Sequence, residues 1–317
     1  KIIICWAMGL TQHQNAVDNI RELVNLLLLK GSIGKEGAGT CPVRGHSNVQ
    51  GDRTVGIWES APQAFLDKIE AKYGFKPSAK HGFSVIDAIK AMYEKKAKVF
   101  FGMGGNFISA VPDTLYAAQA LANCNLTVHV STKLNRSHLV TGKEALILPC
   151  LGRSEKDYQK SGIQVQSVEN SMGIVSSTKG VLEPCSDDLI SEVAVVCGIA
   201  NATLQGRTKI NWLQYKDDYD LVRNDIAEVV EGFTDYNTKL KQPSGFYLPN
   251  GARVRQFKTK TGKANFSLNK LPEWKLKDNE LIMMTIRSHD QFNTTIYGLD
   301  DRYRGIFNER RIIFMNS

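Results

Sequence analysis

Residues 97–132 read AKVFFGMGGNFISAVPDTLYAAQALANCNLTVHVST, and the order of patterns within them decides the fold class. A short run of β-branched and aromatic residues, Val99, Phe100 and Phe101, meets the glycine turn GMGGN. Pro112 and Asp113 then open a helical stretch, and NLTVHVST returns to strand. A further strand, EALILPC, follows at residues 144–150. Strand, glycine turn, helix and strand in short succession mark parallel βαβ units. The sequence therefore predicts an α/β protein with a Rossmann-like parallel sheet flanked by helices.

Working outward, residues 1–6, KIIICW, form a strand of the buried type followed by the turn AMGLTQ. HQNAVDNIRELVNLLLLKG places Val17, Ile20, Val24, Leu27 and Leu28 on one helical face, and Gly31 ends it. From there to about Gly56 the chain is rich in glycine and has no apolar period. Helices are expected over residues 61–73 and 84–95, the second opened by Ser84 with Asp87 three residues on. GIQVQSVENSMGIVSSTKG reads as a hairpin. Helices follow over 186–204, capped by Ser186 and Asp187, and over 217–231. Beyond residue 245 an Asn250-Gly251 turn and alternating patterning predict a β-rich C-terminal part, with LIMMTIRSHDQFN as strand plus polar loop. The expected division is 1–56, a βα unit with a glycine-rich loop; 57–245, a Rossmann-like domain; and 246–317, the β-rich region.

Composition narrows the function. The chain has 317 residues, 42% hydrophobic and 23% charged, as soluble globular proteins do. No apolar run is long enough to span a bilayer. The net charge of +8 favours anionic partners, yet the lysines are scattered and no aromatic-interleaved basic patch accompanies them, which argues against nucleic acid. The six cysteines form no CxxC and no paired spacing, a usage expected of reduced thiols in a cytoplasmic protein. There is no nucleophile elbow, and no His, Asp and Glu set has metal-ligand spacing. The chain opens on a strand without Met and closes on the strand-like RRIIFMNS, so an internal fragment of a longer protein is expected.

Five polar loops attract chemistry. Turns that follow parallel strands present backbone N–H groups to anions, and the turns WAMGLTQ and GMGGN fit that role, although a tight turn needing glycine accounts for them equally. Residues 41–51, CPVRGHSNVQG, lie in a long loop whose donors suit a polar ligand: Arg44 can fork to phosphate, and Ser47, Asn48 and Gln50 can meet ring edges. TIRSHDQFNTT repeats this composition with Arg287, His289, Gln291 and Asn293. STKLNRSH, after the strand at 126–130, offers Thr132 and Lys133 to phosphate or ribose. Two other readings stand beside a large anionic cofactor. One is a nicotinamide-dependent dehydrogenase using GMGGN; the other is a noncatalytic module for acidic partners.

WAMGLTQHQNAVDNIRELVNLLLLKGSIGKEGAGTCPVRGHSNVQGDRTVGIWE, FFGMGGNFISAVPD, TKLNRSHLVTGKEALILPCLGRSEKD and LIMMTIRSHDQFNTTIYGLDDRYRG together resemble, in order, the molybdopterin-guanine-dinucleotide oxidoreductases, closest to their formate dehydrogenase-like alpha subunits. The resemblance implies two molybdopterin guanine dinucleotides (bis-MGD) around one molybdenum or tungsten atom, and a two-electron reaction on a small substrate such as formate with a separate electron acceptor. It implies that Met8, Gly9 and Gln12 contact a pterin dinucleotide. Arg44, Gly45 and His46 fall where these enzymes have Arg-Gly-Gln beside the metal, the arginine orienting substrate and His46 replacing the amide. Gly102, Gly104 and Asn106, with Ser131, Thr132 and Lys133, fall on turns that hold a guanosine diphosphate arm. Arg287 and His289 fall on a pterin-facing loop, and residues 246–317 would lead into a C-terminal barrel domain. The protein ligand to the metal and any 4Fe–4S cluster would precede Lys1, so the piece alone is expected to be inactive.

Overall fold

The computed structural model describes residues 1–46, 48–58, 60–289, 291–292, 296–309 and 311–316. In chain order the elements begin with β1 (Ile3–Trp6), α1 (Met8–Thr11), α2 (Ala16–Leu29), β2 (Gly39–Pro42), α3 (Val49–Thr54), α4 (Gln63–Tyr73) and α5 (Val85–Tyr93). Next come β3 (Val99–Met103), α6 (Phe107–Ala110), α7 (Thr114–Ala122), β4 (Leu126–Ser131) and β5 (Glu144–Pro149). The short strands β6 (Tyr158–Gln159), β7 (Gly162–Ile163), β8 (Gln166–Glu169) and β9 (Ile174–Thr178) follow. The chain continues through α8 (Glu192–Leu204), α9 (Trp212–Asp217), α10 (Tyr219–Val229), α11 (Tyr236–Leu240), β10 (Phe246–Tyr247), β11 (Gln291–Phe292) and β12 (Ile296–Tyr297). The fold is mixed α/β, with parallel sheets flanked by helices. It divides into two compact units: Lys1–Gly82 with Leu151–Glu273, and Phe83–Cys150 with Trp274–Ser317.

The second unit holds the predicted parallel sheet, in the order β3-β4-β5. Its core lies between this sheet and α5 and α7. There Ile89, Met92, Ile108, Ala117, Ala120, Leu121 and Cys124 are buried against Phe100 and Ala97. Small alanines on α7 let it lie close to α5, and Leu121 is fully buried. Both helix starts behave as the sequence predicts. Ser84 Oγ accepts from Asp87 N at 3.3 Å while donating to the Asp87 carboxylate at 2.7 Å, and Asp113 Oδ1 accepts from Tyr116 N at 3.1 Å.

In the first unit β1 pairs in parallel with β2, and the amphipathic α2 buries Leu27 while Val17 stays exposed. The predicted hairpin forms as β8 and β9, with β10 added beside β9. Val175, Phe233, Tyr236, Leu240 and Phe246 make a second core there. Two polar knots stitch the helices. Asp225 accepts from Tyr73 at 2.7 Å and from Tyr215, and pairs with Lys72 at 2.9 Å. Burial would raise the Asp225 carboxyl, but these donors outweigh it and hold it below its ordinary range, and the Tyr215 phenol is pushed up to about 12. Buried Tyr219 likewise binds Asp157 and Ser191.

Four expectations need correction. The glycine-rich segment is not structureless: it contains β2, whose four residues GTCP have no strand pattern of their own and become a strand by pairing with β1, and it contains α3. The helix expected from residue 186 starts at Glu192, because Ser191 supplies the cap to Ala194 N, while Ser186 Oγ accepts from Asp188 N in a local turn. The region expected to be β-rich has no strand between residues 248 and 289, since its alternating residues find no partner strand; Asn250-Gly251 makes a turn without a hairpin. Residues 281–289 accordingly form no strand, where strand plus loop was expected.

Candidate functional site

In the first unit two polar turns leave neighbouring strands at the same end. Trp6 and Pro42 are paired across β1 and β2, and Val43 N donates to Trp6 O at 2.7 Å. The chain beyond Trp6 closes at once into α1. Gln12 N donates to Met8 O at 3.0 Å, and Gln12 Nε2 lies 3.8 Å from Met8 Sδ. Met8 and Gln12, four residues apart on either side of Gly9, therefore fold onto each other and remain exposed. Beyond Pro42 come Arg44, Gly45 and His46, also exposed, and among the described residues Arg44 has no ion-pair partner. Of the remaining donors, Asn48 is committed to structure: its Oδ1 accepts from Glu169 N at 3.0 Å and its Nδ2 donates to Asp52 at 3.3 Å. Gln50 is the reverse case: both its amide atoms are buried and, among the described residues, have no hydrogen-bond partner. Ser47 lies outside the described residues.

In the second unit the carboxyl ends of β3 and β4 bear the other two loops. Gly104 and Gly105 take φ of +69° and +77°, and a Cβ on either would meet nothing within 4 Å, so the backbone there is open on one side. Gly102 differs. It lies inside β3, opposite His129, and a Cβ would come 2.8 Å from the Phe100 ring. Gly104 N donates to Val130 O at 2.7 Å, tying the first turn to β4. The second loop folds through Ser131, whose Oγ donates to Lys133 O at 2.9 Å, leaving Thr132 and Lys133 exposed. Lys133 has no ion-pair partner among the described residues.

Behind these turns runs a network that the sequence reading did not single out. Asn135 Nδ2 donates to Gly105 O at 2.8 Å, and Ser137 Oγ donates to Asn106 Oδ1 at 3.2 Å while accepting from Ile108 N at 3.0 Å. His138 is buried beneath them with its ring 4.9 Å from that of His129. Burial first, and the neighbouring His138 second, push the His129 imidazole below its ordinary range.

The C-terminal loop of this unit has its own anchor, Asp301. Its carboxylate is 1% exposed, accepts from His289 N at 3.1 Å and from Arg304 at 2.7 Å, and lies 3.2 Å from His289 Nδ1. Burial alone would raise this acid; Arg304 and the two His289 contacts overcome it and hold it at about 2. The His289 ring also packs on Tyr303 at 4.5 Å. Asp301 sits in the quoted stretch GLDDRYRG, where its three-residue spacing to Arg304 was the available signal. Arg287 is exposed and without an ion-pair partner among the described residues. Asn293 lies outside the described residues.

Chemically, both strand-end clusters present backbone N–H groups, one uncommitted cation each and amide groups. Such a set binds multiply anionic ligands with polar rings. In the first unit the buried Gln50 amide, unpartnered among the described residues, fits ring donors and acceptors; in the second, the open, positive-φ Gly104-Gly105 backbone fits close-approaching phosphates. Among the described residues no group of three His, Cys, Asp or Glu side chains is placed to hold a metal ion. Nor is any helix among them long and apolar enough to cross a membrane.

No family model matches the chain. Curated proteins do. "Uncharacterized oxidoreductase Rv2900c" of Mycobacterium tuberculosis is 53% identical over 317 residues, all of this chain. Protein YdeP of Escherichia coli K12 is 49% identical over 323 aligned positions, again covering the whole chain. The chain spans about two fifths of each, 41% and 42% of their lengths. At greater distance, a Staphylococcus aureus protein named "Putative formate dehydrogenase SAUSA300_2258" is 24% identical over 271 residues, 76% of this chain and 27% of that protein.

Proposed function

We propose that the chain is the cofactor-holding part of an oxidoreductase built on bis-MGD with molybdenum or tungsten. The observation that supports it most is the repetition of one device. In each unit two donor-bearing turns leave the carboxyl ends of adjacent parallel strands, and each pair of turns includes a cation, Arg44 or Lys133, with no ion-pair partner among the described residues. The oxidoreductase names of the relatives at 53% identity point to the same reaction class.

In this reading Met8, Gly9 and Gln12 take a pterin end, and Gly104, Asn106, Ser131, Thr132 and Lys133 take a guanosine diphosphate arm. Arg287 and His289 supply further donors to pterin. When bound, the cofactor and its metal supply the two-electron chemistry. The chain's residues bind, orient and tune. Arg44, with its planar fork of N–H groups, orients a small oxyanionic substrate such as formate. His46 takes the place of the amide that formate dehydrogenases carry there, and an imidazole can accept or release a proton where an amide cannot. The substrate of this protein is therefore a small oxyanion whose reaction includes a proton transfer beside Arg44.

A nicotinamide dehydrogenase would need an acid after the second strand to hold the ribose hydroxyls. β4 instead runs into Ser131, Thr132 and Lys133. Calorimetric titration of the protein with guanosine diphosphate and with NADP tests the choice: the reading expects the first to bind and the second not. Tighter binding of NADP than of guanosine diphosphate would overturn it.

A further inference from the structure

Asparagine is among the best helix N-caps because its short side chain accepts a hydrogen bond from the N2 or N3 backbone N–H. Asn106 occupies the N-cap position of α6, yet its side chain caps nothing. The job is done from another loop. Ser137 Oγ, on a residue 1% exposed, accepts from Ile108 N, the second residue of α6, at 3.0 Å. The same hydroxyl donates to Asn106 Oδ1 at 3.2 Å. Ser137 is held in turn, because Ser137 N donates to Asn135 Oδ1 at 2.9 Å and Asn135 Nδ2 donates to Gly105 O at 2.8 Å.

The consequence concerns which half of the Asn106 amide is available. A hydroxyl has one proton, and Ser137 gives it to Oδ1, so the oxygen is the anchored end. The Nδ2 group then remains as a fixed pair of donors beside the open Gly104-Gly105 backbone, and among the described residues it has no partner. We infer that Ser137 is a positioning residue: by capping α6 in place of Asn106 and holding Asn106 Oδ1, it presents Asn106 Nδ2 as an oriented donor to an acceptor group, the phosphate or keto oxygen of a guanosine nucleotide. The inference rests on the cofactor reading above, and it adds a residue and a direction of hydrogen bonding to it.

A double-mutant cycle with guanosine diphosphate as the probe, read by calorimetry, tests it. Ser137→Ala weakens binding about tenfold in the unaltered background and has no further effect once Asn106→Ala is present. An effect of equal size in both backgrounds would mean that Ser137 acts through general stability, and would overturn the inference. So would unchanged binding in Ser137→Ala alongside a clear loss in Asn106→Ala; that pattern leaves the cofactor reading standing. Because Ser137→Ala also removes a cap, Asn106→Asp serves as a second variant. It keeps the oxygen that Ser137 holds and removes the donor, so it loses binding while the melting temperature stays near that of the unaltered protein. Retained binding in Asn106→Asp contradicts the donor role. If guanosine diphosphate fails to bind the unaltered protein at all, the cofactor reading falls and this inference falls with it.

Discussion

The Asp301 carboxylate holds His289 from two sides, accepting from its backbone N at 3.1 Å and lying 3.2 Å from its ring Nδ1. Asp301 is depressed to about 2 against an unfolded value near 4. A carboxyl with a lowered folded value stabilises the fold fully above its unfolded value. That contribution is lost as pH falls from about 4 through about 2. Proteolysis of the loop should therefore accelerate over that interval in the unaltered protein, and Asp301→Asn should be cleaved readily even at neutral pH. A cleavage rate indifferent to Asp301→Asn contradicts the anchoring role.

His129 gives the opposite end of the pH scale. Its imidazole is kept neutral by burial and by the His138 ring 4.9 Å away, so protonating it opposes folding. The stability is complete above the ordinary histidine value of about 6.5 and declines as pH falls below it. Thermal melting at pH 7.5 and 5.5 should show the decline, and His129→Leu should reduce it. An equal decline in His129→Leu would assign the effect elsewhere.

Packing and backbone strain can be separated at three positions. Leu121→Ala removes a fully buried side chain from the α5–α7 core and should cost about 3 kcal/mol in urea unfolding. Gly104→Ala, at φ +69° with open space around its Cβ, should cost only about 1 kcal/mol. Gly245→Ala has a similar φ of +68°, but its Cβ would sit 2.1 Å from Val175 O, so the loss should clearly exceed that at Gly104. Equal losses at the two glycines would contradict the packing of β9 against this turn.

Lys133 carries the charge proposed for the phosphate arm. A charge-assisted hydrogen bond contributes about 1.5–3 kcal/mol, so Lys133→Ala should weaken guanosine diphosphate binding at least tenfold and flatten its salt dependence. Unfolding should be unchanged, because Lys133 is exposed and makes no ion pair among the described residues. Unchanged affinity would remove this residue from the site.

The parallel sheet was legible because its signals are local. Val99, Phe100 and Phe101 before GMGGN, Asp113 before an alanine-rich helix, and the apolar run of β4 each state their own conformation. Strand β2 was not legible, since Gly39 and Pro42 at its ends disfavour a strand, the four residues show no strand pattern, and they owe their conformation to β1. At the start of α8, Ser186 and Ser191 are competing caps in one short stretch, and only tertiary packing chooses Ser191. The site divided in the same way. Residues whose chemistry is exposed, such as Arg44 and Lys133, can be picked out by type. Asp301 and Ser137 act by holding another side chain, and the partner of a hydrogen bond 12 or 31 residues away is not written in either residue.

Two findings on cysteine sit with these. None of the six cysteines is in a disulfide, and Cys5 and Cys41 face each other across β1 and β2. Burial, and then the neighbouring Cys5 thiol, push the Cys41 thiol up, away from the reactive thiolate.

The proposed function requires these strand-end turns to hold a guanine-dinucleotide pterin cofactor. The most direct measurement is the content of the protein purified as the cell makes it: metal by mass spectrometry, with pterin and guanosine nucleotide released by acid. The account predicts one molybdenum or tungsten atom with about two pterins and two guanosine nucleotides per protein. Purified protein carrying neither pterin nor guanosine nucleotide, while binding a nicotinamide nucleotide, would contradict it.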